Sequence, residues 1–279
     1  MTHRQLLLAA TQSLAAAGCD TPRLDAEALL LHAANLNRTQ LFLRLDEESD
    51  AAVQGQFESM VLRRAGREPV AYIVGEREFW SRNFIVTPDV LIPRPETEHL
   101  IETVQRLFPD PNAPLRLCDI GTGSGCLPVT LACEYPEARL LASDISPAAL
   151  AVAQRNGERH QVSDRLDWRC GDLYEPLRPG DGPFDAILSN PPYVSLSEYG
   201  ALAPELAFEP RGALTDEADG LSLLRRLVNG APEWLKPGGW LLLETGPCGL
   251  PAGEGEMALI EEIRDLAGHL RAGLYRREA

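Results

Sequence analysis

Leu115-Arg116-Leu117-Cys118-Asp119-Ile120-Gly121-Thr122-Gly123-Ser124-Gly125 passes without interruption from an alternating strand pattern into a loop of alternate glycines, and Leu127 to Cys133 follows as a helical run. A strand, a glycine turn and a helix in that order predict the first unit of a parallel sheet covered on both faces. Glycines at 121, 123 and 125 let a ligand approach the backbone where strand gives way to helix, the usual crevice of such sheets. A dinucleotide fingerprint also requires glycine three positions after the second one. Cys126 stands there, which weakens a pyrophosphate site and with it a reading as an NAD-dependent oxidoreductase.

Working towards the C-terminus, Leu140 to Asp144 forms a second strand pattern ending in an acid, about twenty residues beyond the glycine loop, where a carboxylate can accept from both ribose hydroxyls. Ser146 and Pro147 then read as the cap and first residue of a helix, so Asp144 also suits a plain helix entry. A third strand, Leu166 to Cys170, leads to Gly171-Asp172-Leu173. Asp172 and Leu173 could bracket an adenine ring or simply make a turn.

The fourth strand, Phe184 to Leu188, delivers Ser189-Asn190-Pro191-Pro192-Tyr193 to the same edge. The prolines stop the strand and stiffen the loop. Asn190 carries a carboxamide, and Pro191 offers a carbonyl acceptor with no N–H beside it. Two fixed acceptors suit a planar NH2 group, and Tyr193 can supply an aromatic face. Helix Leu221 to Val228, turn Lys236-Pro237-Gly238-Gly239 and strand Trp240 to Glu244 make a further unit, and Ile260 to Leu266 with Leu270 to Tyr275 suggest a closing antiparallel pair around Gly268.

Towards the N-terminus, residues 1–72 read as helices only, opening with the capping box Thr2-His3-Arg4-Gln5 and including a helix with Phe57, Met60, Val61 and Arg64 on one face that stops near Gly66. Residues 73–90 suggest a hairpin linker, with Glu78-Phe79-Trp80 and Phe84-Ile85-Val86 separated by Ser81-Arg82-Asn83. Leu91 to Glu98 has paired prolines and two acids at a helix start. It is either a capped entry or a loop closing over the site, and Arg94 and Thr97 are its candidate ligand-binding residues. The α/β domain occupies 91–279.

The formal charge is 26 − 41 = −15, which on average repels phosphate backbones and opposes nonspecific nucleic-acid binding. No apolar run approaches the ~20 residues of a membrane span, and no signal core begins the chain, so a cytoplasmic location is expected. Cys19, Cys118, Cys126, Cys133, Cys170 and Cys248 show neither paired nor zinc-ligand spacing and read as reduced, with no metal site.

Taken together, Gly75 to Trp80, Leu91 to Glu98, Asp119 to Gly125, Asp144, Asn190 to Tyr193, Glu209-Pro210-Arg211 and Asp265 to His269 resemble the peptide chain release factor N(5)-glutamine methyltransferases, class I S-adenosylmethionine-dependent enzymes. The resemblance covers nearly the whole chain. It implies a Rossmann-like class I methyltransferase sheet with a small N-terminal helical recognition domain and a linking β-hairpin, and a monomer acting on the glutamine of the Gly-Gly-Gln loop of release factors. It implies that Gly121, Thr122, Gly123, Ser124, Gly125, Asp144, Asp172 and Leu173 bind S-adenosylmethionine, with product S-adenosylhomocysteine, and that Asn190 does so as well. Arg94 and Thr97 join that set, while Asn190, Pro191, Pro192 and Tyr193 hold the substrate amide, with Asn190, Pro191 and Tyr193 as the catalytic residues. Leu173 stands where relatives often carry an aromatic residue, and the short stretch Pro251 to Ile260 leaves room for a trimmed sheet edge. The same Asn-Pro-Pro-Tyr loop serves adenine-N6 nucleic-acid methyltransferases, which remain the alternative.

Overall fold

The computed structural model describes residues 1–253 and 255–278. Five helices build the first compact unit: α1 (His3–Ala16), α2 (Pro22–Ala34), α3 (Arg38–Leu43), α4 (Ala51–Ala65) and α5 (Val70–Val74). Thr2 accepts from the Gln5 N–H and Gln5 reciprocates, so α1 begins with the expected capping box. Leu6, Leu7, Ala10 and Leu14 meet Leu29, Leu30, Phe57 and Met60 in its core. Helix α5 is an addition to the sequence reading, since five residues are too few to show helical periodicity. It ends at Gly75, whose φ of +81° suits glycine.

Arg64 lies on the apolar face of α4 and is buried, where it pairs with Asp25 at 2.7 Å and Glu205 at 3.0 Å. Glu205 also takes Arg67 at 2.8 Å. Ala203–Phe208 thus belongs to this first unit with Met1–Glu76, although the flanking residues belong to the second.

The second unit begins at Arg77, within β1 (Glu76–Phe79), which joins β2 (Arg82–Ile85) through Trp80 and Ser81. Both turn residues have positive φ, as a two-residue hairpin turn requires, so the turn is tighter than the Ser81-Arg82-Asn83 of the sequence reading. Phe79 and Phe84 pack edge to face, 6.1 Å between centroids, on the buried side.

Beyond the hairpin come α6 (Glu98–Leu107), β3 (Arg116–Ile120), α7 (Cys126–Glu134), β4 (Arg139–Asp144), α8 (Pro147–Arg159), β5 (Leu166–Cys170), β6 (Phe184–Ser189), α9 (Leu196–Tyr199), α10 (Ser222–Gly230), β7 (Leu235–Glu244), β8 (Met257–Arg264) and β9 (Leu270–Arg277). The sheet order is β5-β4-β3-β6-β7-β9-β8, parallel through β7 and antiparallel at β9 and β8. Sequence order reverses between β3 and β6, which makes their carboxyl ends the natural ligand crevice.

One face of the sheet packs with α6 and α7, burying Leu100, Leu117, Val129 and Leu188, while the other packs with α10, burying Ile187, Leu224, Leu227 and Leu241. Lys236 to Gly239 lies inside β7 rather than in a turn, opposite an irregularity between Phe184 and Ala186. The closing pair is present and begins at Met257, so the edge of the sheet is whole despite the short preceding stretch.

Asn156 of α8 ties the hairpin to this frame. Fully buried, it accepts from the Ile85 N–H at 2.7 Å and donates to the Ile85 carbonyl at 3.0 Å and the Ser124 carbonyl at 2.8 Å. Asn156→Ala strips partners from the buried Ser124 carbonyl and from two half-buried Ile85 backbone groups, so we expect a loss of about 3 kcal/mol, read as a lower urea midpoint with an unchanged slope.

Candidate active site

Ile120 lies opposite Ser189 in the β3–β6 register, so the glycine loop and the Asn-Pro-Pro loop leave the sheet side by side. The Ser189 hydroxyl donates to the Ile120 carbonyl at 2.6 Å and pins the two strand ends together. Between them opens a cavity of about 500 Å³. Arg94, Thr97, Gly121, Thr122, Gly123, Ser124, Asp144, Asp172, Leu173, Asn190, Pro191 and Pro192 all reach its wall, whereas Gly125 and Tyr193 do not.

The loop backbone is spent on itself and on Asp144. The Gly121 and Thr122 N–H groups donate to the Ser143 carbonyl at 2.8 and 2.9 Å. Gly123 N–H reaches one Asp144 oxygen and Ser146 N–H the other, each at 2.8 Å. Burial raises the Asp144 pKa and these backbone donors lower it, leaving a net rise. Each oxygen keeps lone-pair capacity for hydroxyl donors in the cavity.

Gly125 has another duty. A Cβ there would stand 3.0 Å from the Ala153 Cβ and 3.3 Å from the Trp168 ring, so this glycine lets α7 start close against α8. Leu173 adopts a φ of +46°, a strained setting for a branched side chain, and Asp172 pairs with Arg226 at 2.6 Å on the same wall.

Asn190 donates from Nδ2 to the Thr97 hydroxyl at 3.1 Å. Among the described residues no donor reaches its Oδ1 or the Pro191 carbonyl, so two acceptors stand open in the stiff loop. Tyr193 turns away from the cavity. Its hydroxyl donates to Glu244 Oε1 at 3.3 Å, and its ring fills the space beside Gly246, where a Cβ would come within 2.8 Å. Burial, with Glu244 nearby, pushes the Tyr193 phenol upward.

Sequence reasoning assigned no role to three buried acids. Glu209 accepts from the Ile92 N–H at 3.0 Å and pairs with Arg94 at 2.5 Å, clasping the Ile-Pro-Arg-Pro segment to the chain beyond the Asn-Pro-Pro-Tyr loop. Asp119, 1% exposed beneath the glycine loop, has no hydrogen-bond partner on either oxygen. Burial raises its pKa to about 7, against the lowering by the facing Thr122 hydroxyl and with a further rise from Asp144. Glu244, also 1% exposed, leaves Oε2 unpartnered, and burial takes it to about 7 as well. An acid inside an otherwise apolar strand run was the available signal for Asp119 and Glu244. Glu209 stood in the Glu209-Pro210-Arg211 stretch of the family resemblance, but nothing there pointed to its partners, which lie more than a hundred residues away.

Residues 5–75 match the family model of the PrmC N-terminal domain, and residues 96–245 match that of the methyltransferase small domain. A release factor glutamine methyltransferase of Cereibacter sphaeroides is 44% identical over 278 residues, covering 97% of this chain and 97% of its own. One from Nitratidesulfovibrio vulgaris is 44% identical over 279 residues, 96% of this chain and 92% of its own. One from Koribacter versatilis is 42% identical over 247 residues, 88% and 87%. Among solved structures, a putative methyltransferase, yhhF, from Escherichia coli aligns at TM-score 0.52 and 18% identity over 74% of this chain and 99% of its own. The N-terminal domain of human METTL16 in complex with SAH aligns at 0.51 and 19% over 70% and 75%. The fold shared with these two is that of the class I methyltransferases.

Below pH ~4 folded and unfolded chains both protonate Asp119, and between there and about 7 only the folded chain does, so its burial erodes stability as pH rises through that window. Asp119→Asn should therefore stabilise the ligand-free protein by on the order of 2 kcal/mol at pH 8 and by little at pH 5, as paired urea titrations would report.

Proposed function

The chain belongs to the release factor glutamine methyltransferases, and from that membership we propose how its residues divide the work of transferring a methyl group from S-adenosylmethionine to the amide nitrogen (N5) of a release factor glutamine. The target is the glutamine of the Gly-Gly-Gln loop. The observation that carries the division is the pair of open acceptors, Asn190 Oδ1 and the Pro191 carbonyl, on the wall of a cavity floored by the glycine loop.

The cavity fits the cofactor. Asp144 has acceptor capacity for vicinal hydroxyls, and the unpaired Asp119 carboxylate places negative charge under the loop, suited to a ligand that carries cationic groups. Gly121 and Gly123 present bare backbone, and nothing lies within 4 Å of where a Gly123 Cβ would stand. Leu173 offers an apolar contact to the adenine end, with Asp172 beside it. When bound, S-adenosylmethionine supplies an electrophilic methyl on a sulfonium.

An amide nitrogen shares its lone pair with the carbonyl and is a poor nucleophile. Asn190 Oδ1 and the Pro191 carbonyl each accept one hydrogen of the glutamine NH2, holding the nitrogen in place, so positioning and electrostatics provide most of the acceleration. Gaining a methyl makes the nitrogen acidic, and its proton then leaves to solvent without a dedicated base. Pro191 and Pro192 keep the loop from relaxing. Tyr193 supports the grip from behind, through Glu244 and its packing at Gly246. The helical residues 1–72 serve substrate recognition, 73–90 link them, and 91–279 carry the chemistry in a cytoplasmic monomer that binds no nucleic acid.

Incubation with labelled S-adenosylmethionine should place one methyl on the Gly-Gly-Gln peptide of a release factor, found by mass spectrometry, and none on duplex DNA. Asn190→Ala should lower single-turnover rates by about 10²-fold while leaving S-adenosylhomocysteine affinity within threefold. Equal rates would sink the grip. Because Asp119 must lose its proton to attract a cation, affinity for S-adenosylhomocysteine should climb as pH rises from 5 towards 7 and flatten above about 7. Calorimetry should find proton release at pH 6, and Asp119→Asn should weaken binding and remove that dependence.

A further inference from the structure

A carboxamide has two ends of nearly equal shape and opposite chemistry, and only the oxygen end can accept from a substrate NH2. The Asn190 grip therefore requires something that decides which end faces the cavity. Thr97 is in the right place. It stands at the first position before α6, where a threonine side chain ordinarily caps the helix, yet it makes no capping bond. Its hydroxyl instead accepts from Asn190 Nδ2 at 3.1 Å.

A hydroxyl has one hydrogen, and the fate of that hydrogen sets what its oxygen can do. Thr97 is 2% exposed and faces Glu244, whose pKa it lowers. Glu244 receives the Tyr193 hydroxyl on Oε1 and has no partner on Oε2. Glu96, which raises the Glu244 pKa, and Arg271, which lowers it, are the other charges around this acid. In its ionised form, which the Thr97 hydroxyl favours, Glu244 only accepts, so the Thr97 hydrogen turns to it. The Thr97 oxygen is then left as an acceptor, which the amide oxygen of Asn190 cannot satisfy and its NH2 can.

Resting on the function proposed above, we propose that Thr97, oriented by the buried Glu244, is a positioning residue that fixes the amide of Asn190 with Nδ2 inward and Oδ1 towards the substrate nitrogen. The site thereby selects an acceptor that presents two N–H hydrogens over one that presents an oxygen. Thr97 reaches the cavity wall, but its polar atom is committed to Asn190, so its service to the cofactor is indirect.

The test uses the full chain with S-adenosylmethionine and a release factor, comparing wild type with Thr97→Val, Thr97→Ser and Glu244→Gln. Valine keeps the shape and removes the hydroxyl, so Asn190 is free to flip. We expect kcat to fall roughly 10- to 100-fold with KM for the release factor and affinity for S-adenosylhomocysteine each within threefold of wild type. Serine should restore kcat to within threefold. Glu244→Gln, which can offer either end to Thr97, should fall between valine and wild type. The proposal is overturned by a valine variant within twofold of wild-type kcat, by loss of S-adenosylhomocysteine affinity in step with kcat, or by a serine variant as impaired as valine. A wild-type enzyme inert towards the release factor while binding S-adenosylhomocysteine overturns the functional reading, and this one with it.

Discussion

The pairing of β3 with β6, closed by the hydrogen bond from Ser189 to the Ile120 carbonyl, is the constraint on which the site depends. A parallel ladder brings two strands to the same edge with both chains still heading outward. The loop leaving each strand is then placed by register alone. A slip of one residue would send the side chains of β6 to opposite faces, taking Asn190 from the cavity and forcing Leu188 into the layer that Ile187 fills. The apolar alternation that fills both faces of the sheet thus also sets the separation of the two loops. The geometry of the cavity is inherited from core packing.

Around that junction the molecule accepts costs that a purely structural protein would avoid. Asp119 and Glu244 are both buried, each leaves an oxygen without a partner, and each is driven to about 7. Unpaired buried carboxylates oppose folding, and they persist where a ligand or a relay gives them a use. Asp144 differs, since backbone donors hold both its oxygens before any ligand arrives. Leu173 adds a strained backbone angle at the far wall. The stabilising counterparts lie further out, in the Asn156 tie and in the two apolar layers.

Much of this was legible from local pattern. The strand, glycine turn and helix at 115–133, the acid ending at Asp144 and the proline-stiffened loop at 190–193 each carry their own periodicity or turn chemistry, and they marked both the fold and the cavity wall. Boundaries were blurred where the signal was short, as at the five-residue helix Val70–Val74 and the tight turn at Trp80-Ser81. Gly125 shows a different limit. In sequence it is one of three equivalent loop glycines, and only the approach of Ala153 and Trp168 separates a packing glycine from those on the cavity wall. Glu209 and Thr97 were marked as positions, but their contacts were illegible because the partners, Ile92, Arg94 and Asn190, come together only through the tertiary fold.

The Glu209 clasp gives the cavity rim two sides of unequal stiffness. On one side a carboxylate 2% exposed holds both Arg94 and the Ile92 N–H, and prising that side apart would strand a charge away from water. On the other, Arg226 and Asp172 meet with half of the arginine side chain in solvent, where an ion pair is cheap to break and remake. Parting the rim at Arg226 and Asp172 therefore costs less than parting it at Glu209.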